Sequence, residues 1–234
     1  MCGRYSVSVP PQAIQRLFGL DEVPDMPARY NVAPSQDVPV VREGPDGREL
    51  VFLRWGLIPF WSKDPKQGPT PINARADTAS EKPAFRGAFK SHRCLLPADG
   101  FFEWKPAAGG GKKQPVYFRM ADDSPFAFAG LWDRWEGPDG QVIQSCTLLT
   151  TEPNELVAPV HDRMPVILPA SAYGLWLDPG VKDPHAVQPL LRPYPAGAMK
   201  AYAVSTRVNS PRDDDPSLIE PAEPEPAPAQ LKLF

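Results

Sequence analysis

Residues 126–150, FAFAGLWDRWEGPDGQVIQSCTLLT, consist of two apolar stretches separated by a short polar one. Residues 126–131 and 142–150 are rich in aromatic, aliphatic and β-branched side chains, a composition typical of strands. Between them, Gly137-Pro138-Asp139-Gly140 brings together residue types that favour tight turns. This stretch therefore predicts a β-hairpin.

The same alternation of short apolar stretches and turn residues continues on both sides of the hairpin. A second turn sequence, Gly44-Pro45-Asp46-Gly47, separates residues 38–42 from residues 49–55 and predicts another hairpin. Further strands are predicted at residues 92–97, 116–120, 166–168 and 201–204. Helices are fewer and short, at residues 11–18, 152–158 and 170–177. These elements predict an α+β or mainly β fold with small helices packed on it.

Proline is the unusual feature of the composition. The chain of 234 residues contains 32 prolines and 17 glycines, which excludes a helical bundle. From residue 213 onward six acidic side chains face a single lysine, a net charge of −5, so that residues 1–212 carry +2 of the overall −3. This last stretch of Pro, Glu and Ala contains too few apolar side chains to fold. We therefore expect a folded domain over residues 1–212 and a disordered tail over residues 213–234.

The sequence shows no targeting or membrane-spanning segment. No run of about 18 apolar residues occurs, and no charged region followed by an apolar stretch begins the chain. The three cysteines, Cys2, Cys94 and Cys146, are far apart and have no spacing typical of a zinc site. We therefore expect a cytoplasmic monomer without disulfides, structural metal or cofactor.

Cys2 is the residue with the most distinctive chemistry. Removal of Met1 would leave a thiol and an α-amine on adjacent carbons, a 1,2-aminothiol that condenses with an aldehyde to a five-membered thiazolidine. An α-amine has a pKa of about 7.7–8.0, so roughly a tenth of it is neutral and nucleophilic at pH 7. The alternative is that Cys2 is an ordinary small residue at a processed chain start.

Six short motifs that follow one another along the chain favour a chemical role for Cys2. They are Met1-Cys2-Gly3-Arg4-Tyr5, Asn31-Val32-Ala33-Pro34, Trp55-Gly56-Leu57-Ile58-Pro59, Ile72-Asn73-Ala74-Arg75-Ala76, Ala98-Asp99-Gly100-Phe101-Phe102-Glu103-Trp104 and Val160-His161-Asp162-Arg163-Met164-Pro165. Together they resemble the SOS response-associated peptidase (SRAP) family over about residues 2–212. The resemblance implies a mixed, mainly antiparallel sheet or distorted barrel with short flanking helices. It also implies a nucleoid-associated protein that shields abasic sites in single-stranded DNA, including strand–duplex junctions, through a thiazolidine crosslink to Cys2.

Three motif residues suit the proton transfers and positioning that this chemistry needs. Glu103 lies between two aromatic residues, where burial raises a carboxyl pKa towards neutrality. The matching family glutamate moves protons as the sugar opens and assists removal of the initiator methionine. His161 matches a histidine that assists Schiff-base formation and crosslink reversal, and the amide of Asn73 matches one that orients the amine or the sugar. The alternatives are a solvent-facing strand residue, a structural histidine and an asparagine in a turn.

Basic and aromatic residues in or beside these motifs are predicted to hold the DNA. Arginine binds phosphate through two parallel hydrogen bonds, and exposed aromatic rings stack on bases. The predicted DNA contacts are Arg4, Arg75, Arg163, Phe60, Trp61 and, through the resemblance, Thr150. The alternatives are surface salt bridges for the arginines and a place beside a helix N-cap for Thr150. Asp77 stands where the family usually has glutamate, which shortens its reach and puts a salt bridge from that position in doubt.

The chain ends in a short apolar motif. Gln230, Leu231, Leu233 and Phe234 resemble the peptide by which bacterial polymerases and repair proteins bind the DNA sliding clamp. A glutamine that forms hydrogen bonds and a Leu-x-Leu-Phe group that fills an apolar pocket make a compact anchor. The tail is therefore predicted to tether the domain to the clamp. The alternative is that its apolar end packs on the domain itself.

Two other classes of function remain open from the sequence. Cys2 and His161 are also the residue types of a cysteine peptidase, which predicts hydrolysis of peptides in trans. A non-catalytic DNA-binding or clamp-binding module predicts binding without a covalent product. Within the main hypothesis, the Schiff-base intermediate also permits weak strand-cleaving (AP-lyase) activity, which thiazolidine closure suppresses.

Overall fold

The computed structural model describes residues 2–65, 68, 70–107 and 111–222. Its strands are β1 Tyr5–Val7, β2 Arg29–Val32, β3 Asp37–Gly44, β4 Gly47–Trp55, β5 Asn73–Arg75, β6 Arg93–Ala98, β7 Gly100–Lys105, β8 Gln114–Met120, β9 Phe126–Glu136, β10 Val142–Thr151, β11 Met164–Pro165, β12 Ile167–Leu168 and β13 Met199–Ala203. Its α-helices are α1 Pro11–Phe18, α2 Arg86–Ser91, α3 Tyr173–Leu177 and α4 Pro184–Val187. Short 3-10 helices lie at Ala170–Ala172, Gln188–Leu190, Ala196–Ala198, Thr206–Asn209 and Pro216–Ile219. Each helix in the described residues is too short or too polar to cross a membrane.

Five strands form a closed barrel in the order β10-β4-β3-β6-β9, because β9 pairs again with β10. β3 pairs with β4, and β9 with β10, in antiparallel register across the two predicted turns. Gly47 in the first turn has a φ of 122°, a conformation that favours glycine. The barrel closes because β10 also runs parallel to β4, with Ser145 opposite Arg54. Both hairpins and the mixed, mainly antiparallel α+β fold are confirmed.

A second sheet, antiparallel throughout, has the order β13-β8-β7-β1-β2 and packs against the barrel. Tyr5 of β1 contacts Trp55 and Phe128 of the barrel, with ring centroids 5.3 and 5.7 Å apart. Phe101 of β7 lies 6.1 Å from the same Phe128. All four rings are fully buried, so the main core extends between this sheet and the barrel.

Most predicted elements are confirmed, with ends that differ by a few residues. The helix predicted at residues 11–18 is α1, which begins at a proline and ends at Gly19 in the left-handed conformation, with φ 63°. The helix predicted at residues 170–177 is a 3-10 turn followed by α3. Strands β1, β2 and β5 were missed because three or four residues are too few to show an alternating pattern. Strand β7 was missed because its first four side chains are buried on both faces.

The helix predicted at residues 152–158 is wrong. This segment forms consecutive turns, in which the side-chain oxygen of Asn154 accepts hydrogen bonds from the N–H groups of Leu156 and Val157 at 3.1 and 3.0 Å. Pro159 then has no N–H to continue a helical ladder. The turns deliver the chain to His161, whose N–H donates to the carbonyl of Val157 at 3.0 Å.

Residues 213–222, the first ten of the predicted disordered tail, are ordered and belong to the fold. Asp214 accepts hydrogen bonds from the N–H groups of Tyr30 at 2.5 Å and Asn31 at 3.0 Å, and it pairs with Arg29. Leu218 is fully buried. Residues 205–222, called the C-terminal segment below, are therefore part of the fold. Residues 223–234 lie outside the described residues.

This correction also reverses the expected charge of the folded part. Asp213, Asp214, Asp215 and Glu220 all belong to the C-terminal segment. Beyond residue 222 the charges sum to only −1, so residues 1–222 carry −2 instead of the +2 expected for the shorter domain. Cations near the site are therefore local features of a slightly acidic protein.

The C-terminal segment also completes a small second core. Phe102 of β7 and Tyr117 of β8 are buried there against Val204 and Val208. Side chains alternate along a strand, so Glu103 faces the opposite side of β7 from Phe102, towards the barrel. Glu103 is thereby buried where the second sheet meets the barrel.

Candidate active site

Cys2 is brought beside Glu103 by the pairing of β1 with β7. The N–H of Phe102 donates to the carbonyl of Arg4 at 3.0 Å, which extends the β1–β7 ladder toward the start of the chain. Cys2 is fully buried, and its thiol donates to the carbonyl of Arg4 at 3.6 Å. Burial, followed by the charge of Glu103, raises the pKa of the Cys2 thiol. The thiol is therefore neutral at physiological pH.

Asn73 reaches the same residue from the barrel. It begins β5, which runs parallel to β10 with Leu148 opposite Asn73. Its side-chain Nδ2 donates to the carbonyl of Cys2 at 2.9 Å. Its Oδ1 is buried and accepts no hydrogen bond from any described residue. Asn73 thus lies in a strand and not in a turn, with one side-chain atom fixing Cys2 and the other available as an acceptor.

Glu103 has the properties of a proton shuttle. It is only 3% exposed, and burial raises the pKa of its carboxyl to about 7. The negative charge of Asp162 also raises this pKa, whereas the positive charge of Lys113 lowers it. A carboxyl with a pKa near 7 is present in both protonation states at neutral pH, which suits general acid–base catalysis.

His161 directly follows the turns beyond the C-terminal end of β10. The residues that follow it form β11, which pairs with the end of β10 opposite the edge that holds β5. Its Nδ1 accepts a hydrogen bond from the backbone N–H of Arg163 at 3.0 Å. Burial is the main cause of the lowered pKa of His161, so the ring is neutral at physiological pH. Because the Arg163 N–H can only donate, this neutral ring carries its proton on Nε2.

Asp162 competes for the same ring atom. Its Oδ1 lies 3.0 Å from Nδ1 of His161, a pairing that requires a protonated ring. The Asp162 side chain is 87% exposed and gains little from the contact because water screens it. The backbone donor therefore sets the resting tautomer, and Asp162 becomes a partner when His161 takes up a second proton.

The three predicted arginines differ in how much of their hydrogen-bonding capacity is free. Arg4 donates to the side chain of Asn31 at 2.9 Å and to the carbonyls of Val208 and Asn209 at 2.7 and 3.3 Å. It therefore anchors the C-terminal segment, a structural role that the sequence analysis did not predict. Its contact with phosphate remains a prediction.

Arg75 and Arg163 lie on either side of the end of β10. Arg75 donates to the carboxyl of Asp77 at 3.1 and 2.5 Å, so the shorter aspartate forms the salt bridge that its length had put in doubt. Both side chains are more than half exposed. Arg163 donates to the carbonyl of Thr150 at 2.7 Å, and its buried Nε has no partner among the described residues.

Thr150 itself is fully buried, and its hydroxyl donates to the carbonyl of Ala74 at 3.4 Å. Turns and not a helix follow it, so the predicted place beside a helix N-cap is wrong. A side chain in this position cannot reach a DNA strand without a rearrangement of β5 and β10.

Phe60 and Trp61 lie in the loop that connects β4 to β5. The N–H of Phe60 donates to Asp133 of β9 at 3.0 Å, which fixes the loop to the barrel. The two rings nevertheless remain 64% and 52% exposed. Together with Pro83 and Arg86 they line an open cavity of about 510 Å³. No described contact joins them to Cys2, so they form a separate surface.

Two residues near the site were missed by the sequence analysis. Lys113 was not among the predicted site residues, yet its charge lowers the pKa values of both Glu103 and His161. Asp162 had no predicted role, although its position next to His161 in the sixth motif was the available signal. The predicted clamp-binding residues Gln230, Leu231, Leu233 and Phe234 lie outside the described residues.

The chain is similar to known proteins over most of its length. A family model described as SOS response associated peptidase (SRAP) matches residues 1–211. The Bacillus subtilis protein named "Abasic site processing protein YoqW" is 46% identical over 224 residues, which cover 94% of this chain and 99% of that protein. The Gallus gallus protein named "Abasic site processing protein HMCES" is 34% identical over 224 residues, which cover 83% of this chain and 66% of that protein.

Solved structures share the fold as well. A protein from Bacteroides thetaiotaomicron matches with a TM-score of 0.84 and 28% identity, over 95% of this chain and 100% of its own. A protein from Bordetella bronchiseptica matches with a TM-score of 0.75 and 32% identity, over 87% of this chain and 100% of its own.

Proposed function

Because the chain belongs to the SOS response associated peptidase (SRAP) family, we propose that it processes abasic sites in single-stranded DNA. In this proposal Cys2, freed by removal of Met1, forms a covalent thiazolidine crosslink that shields the lesion during replication. The main support for this proposal is the position of Cys2. Its carbonyl accepts a hydrogen bond from Asn73 at 2.9 Å, and it lies beside Glu103, whose carboxyl pKa is raised to about 7. Such a function would place the protein, as a monomer, at the nucleoid.

The reaction has three balanced steps. Glu103 moves a proton as the cyclic hemiacetal of the abasic sugar opens to the aldehyde. The α-amine of Cys2 then adds to the aldehyde carbon, and loss of one water gives the Schiff base. Finally Sγ bonds to the same carbon, the C=N bond becomes single, and the thiol proton passes to the nitrogen. The net result is one thiazolidine and one water.

The protonation states of the described residues support the amine as the first nucleophile. The pKa of the Cys2 thiol is raised by burial, which suppresses the thiolate, whereas an α-amine is partly neutral at pH 7 without tuning. His161, with its proton on Nε2, is arranged to donate as the carbinolamine loses water. The Oδ1 of Asn73, which accepts no hydrogen bond from the described residues, provides an acceptor for the amine.

The same protonation states argue against the cysteine peptidase alternative. A peptidase needs Cys2 as a thiolate and His161 as its base. Self-removal of Met1 is a separate reaction, for which Glu103 is the proposed proton-transfer group. Retention of Met1 in a Glu103→Ala variant, measured by mass spectrometry in a host whose methionine aminopeptidase is controlled, would support self-removal. Complete loss of Met1 in that variant would argue against it.

Weak AP-lyase activity follows from the same intermediate. A Schiff base permits elimination of the adjacent phosphate and cleavage of the strand. Ring closure by the Cys2 sulfur removes the C=N bond and so suppresses cleavage. A Cys2→Ser variant, which keeps the α-amine, is expected to give more strand cleavage and less stable crosslink than the wild type.

The DNA strand is proposed to lie across Arg75 and Arg163, with Arg4 beside Cys2 and the rings of Phe60 and Trp61 stacked on bases near a strand–duplex junction. Three neutralised phosphates would give a salt slope of log affinity of about −2. The Nε of Arg163 has no partner among the described residues, so this group can donate a further hydrogen bond.

The sliding clamp is the proposed protein partner. Residues 223–229 separate the described fold from Gln230, and seven residues reach at most about 25 Å. The fold would therefore stay close to the clamp face. Deletion of residues 230–234 is expected to abolish retention on immobilised bacterial clamp and to leave crosslinking intact; unchanged retention would exclude this docking site.

The deciding experiment uses a single-stranded oligonucleotide with one abasic site. After incubation, denaturing electrophoresis should show a slowly migrating covalent species with the wild type. The species should be absent with Cys2→Ala and with an undamaged oligonucleotide of the same sequence. The absence of this species with wild-type protein that has lost Met1, or its persistence with Cys2→Ala, would refute the proposal.

A further inference from the structure

The β7–β8 hairpin carries three lysines that the proposed mechanism does not use. Lys105 ends β7 opposite Gln114, and Lys112 and Lys113 directly precede β8. All three side chains are exposed. None of them forms an ion pair or hydrogen bond through its side chain with another described residue. The end of the hairpin is thus a cluster of free positive charges.

This cluster lies at the edge of the site. Lys105 is two residues beyond Glu103 and on the same face of β7. Burial shifts the pKa values of Glu103 and His161, and the charge of Lys113 acts on both groups. Lys113 directly precedes Gln114, which pairs with Lys105, so it lies at the same end of the hairpin as Lys105.

The lysines complement the arginines in position. Arg75 and Arg163 lie beside the end of β10, whereas the lysines lie at the hairpin end of β7 and β8, two inner strands of the second sheet. Arg75 is also engaged by Asp77. Residues 1–222 carry a net −2, so a cluster of three cations is not the consequence of a generally basic surface.

We propose that Lys105, Lys112 and Lys113 form a second phosphate-binding surface, on which the single strand continues after it crosses the pocket at Cys2. The inference rests on the proposed function, since it takes the same DNA as ligand. An ammonium group on a long side chain binds phosphate as a point charge and without regard to sequence. The strand would thus be held on both sides of the lesion, by arginines on the barrel and lysines on the hairpin.

The test measures binding of an undamaged, fluorescent single-stranded oligonucleotide over a salt series. Removing one lysine–phosphate pairing reduces the salt slope by about 0.7, so Lys113→Gln is expected to lower it by about 0.7 and the triple glutamine variant by about 2. Affinity should fall roughly two- to fivefold for each lysine replaced. Lys182→Gln, which changes an exposed lysine elsewhere, is the matched control and should keep the wild-type slope. Replacing all three hairpin lysines with arginine, which keeps the positive charges, should give the wild-type slope.

The outcomes separate the two proposals. If the triple glutamine variant has the same salt slope and melting temperature as the wild type, the lysine surface is overturned. It is also overturned if the wild-type protein does not bind the undamaged strand. A reduced slope together with no covalent product from abasic DNA supports the lysine surface and refutes the crosslinking proposal. Crosslinking by the wild type, together with an unchanged salt slope in the triple glutamine variant, supports the crosslinking proposal and overturns the lysine surface.

Discussion

The side-chain amide of Asn73 donates a hydrogen bond to the main-chain carbonyl of Cys2 across 2.9 Å. This bond joins the barrel to the second sheet, since Asn73 begins β5 and Cys2 leads into β1. It fixes the backbone of the residue whose α-amine is the proposed nucleophile. Asn73→Ala is expected to slow single-turnover crosslinking up to about tenfold, because loss of a hydrogen bond costs about 0.5–1.5 kcal/mol.

Asn73→Asp tests whether the donated hydrogen bond is the cause. Aspartate has the size of asparagine but cannot donate when ionised, and it places a negative charge beside the carbonyl of Cys2. Crosslinking should therefore be at least as slow as with Asn73→Ala. Asn209→Asp is the matched control, because Asn209 uses its side-chain oxygen to accept from Trp104 at 2.7 Å and aspartate retains that acceptor. A wild-type rate for Asn73→Asp would contradict the assigned role.

Glu103 should make the stability of the protein depend on pH. Its pKa is raised by burial from the ordinary 4.5 to about 7, so ionisation is less favourable in the folded than in the unfolded protein. Below about pH 4.5 both states are protonated and the cost is absent; above pH 7 the full cost, on the order of 3 kcal/mol, is present. Relative to Glu103→Gln, the wild type should therefore lose stability as the pH rises from 5 to 8.

The measurement is the difference in melting temperature between the two proteins at each pH, with the N-terminus of both verified by mass spectrometry. Glu155→Gln, at an exposed position, serves as the control and should show no such trend. A constant difference between the wild type and Glu103→Gln over this range would show that Glu103 titrates normally.

Local chemistry explains which parts of the fold could be predicted. The hairpins around residues 44–47 and 137–140 depend on turn residues and on apolar stretches next to them, and both are visible in the sequence. Closure of the barrel depends on the parallel pairing of β4 with β10, about ninety positions apart, for which no local pattern exists. Short strands such as β5 form only because a long neighbour provides an edge, so their own sequence carries little signal.

The features of the site also divide into those that the sequence could predict and those that it could not. Cys2, Asn73, Glu103 and His161 were proposed from motifs, and in the structure Asn73 and Glu103 lie beside Cys2, while His161 is next to Asp162, whose charge acts on Glu103. The hydrogen bonds from Arg4 to the carbonyls of Val208 and Asn209 could not be predicted, because they require a segment about two hundred residues away to return to β1. Composition suggested that this segment ends in disorder, but a few specific contacts outweigh composition.

The exposed rings of Phe60 and Trp61 should contribute to DNA binding without contributing to stability. Both are more than half exposed, so replacement by alanine is expected to change the free energy of unfolding by no more than about 0.5 kcal/mol. Stacking on a base contributes about 1–3 kcal/mol, so each replacement should weaken binding of a single-stranded oligonucleotide by about fivefold to about 150-fold. Fluorescence anisotropy measures this loss. Phe52→Ala, on another exposed aromatic ring, should bind as the wild type does, and equal affinities for all three variants would exclude stacking at this surface.

The carboxyl of Asp214 should hold the C-terminal segment on β2. It accepts from the N–H groups of Tyr30 and Asn31 and pairs with Arg29, and hydrogen bonds to a charged group each contribute about 1.5–3 kcal/mol. Since the carboxyl remains partly exposed, Asp214→Ala is expected to cost about 2 kcal/mol in total, or roughly 4–8 °C in melting temperature.

Hydrogen exchange locates the effect of Asp214→Ala. The amides of Tyr30 and Asn31 lose their acceptor and should exchange faster, whereas amides in the β9–β10 hairpin should be unaffected. Asp213→Ala removes the neighbouring carboxyl, which forms no hydrogen bond with the described residues, and should leave both readouts near the wild type. If the Asp214→Ala protein melts at a lower temperature but keeps slow exchange at Tyr30 and Asn31, the destabilisation arises elsewhere. If both readouts stay at wild-type values, the contacts of Asp214 are not what holds the segment, and the buried side chains of Val208 and Leu218 must do so.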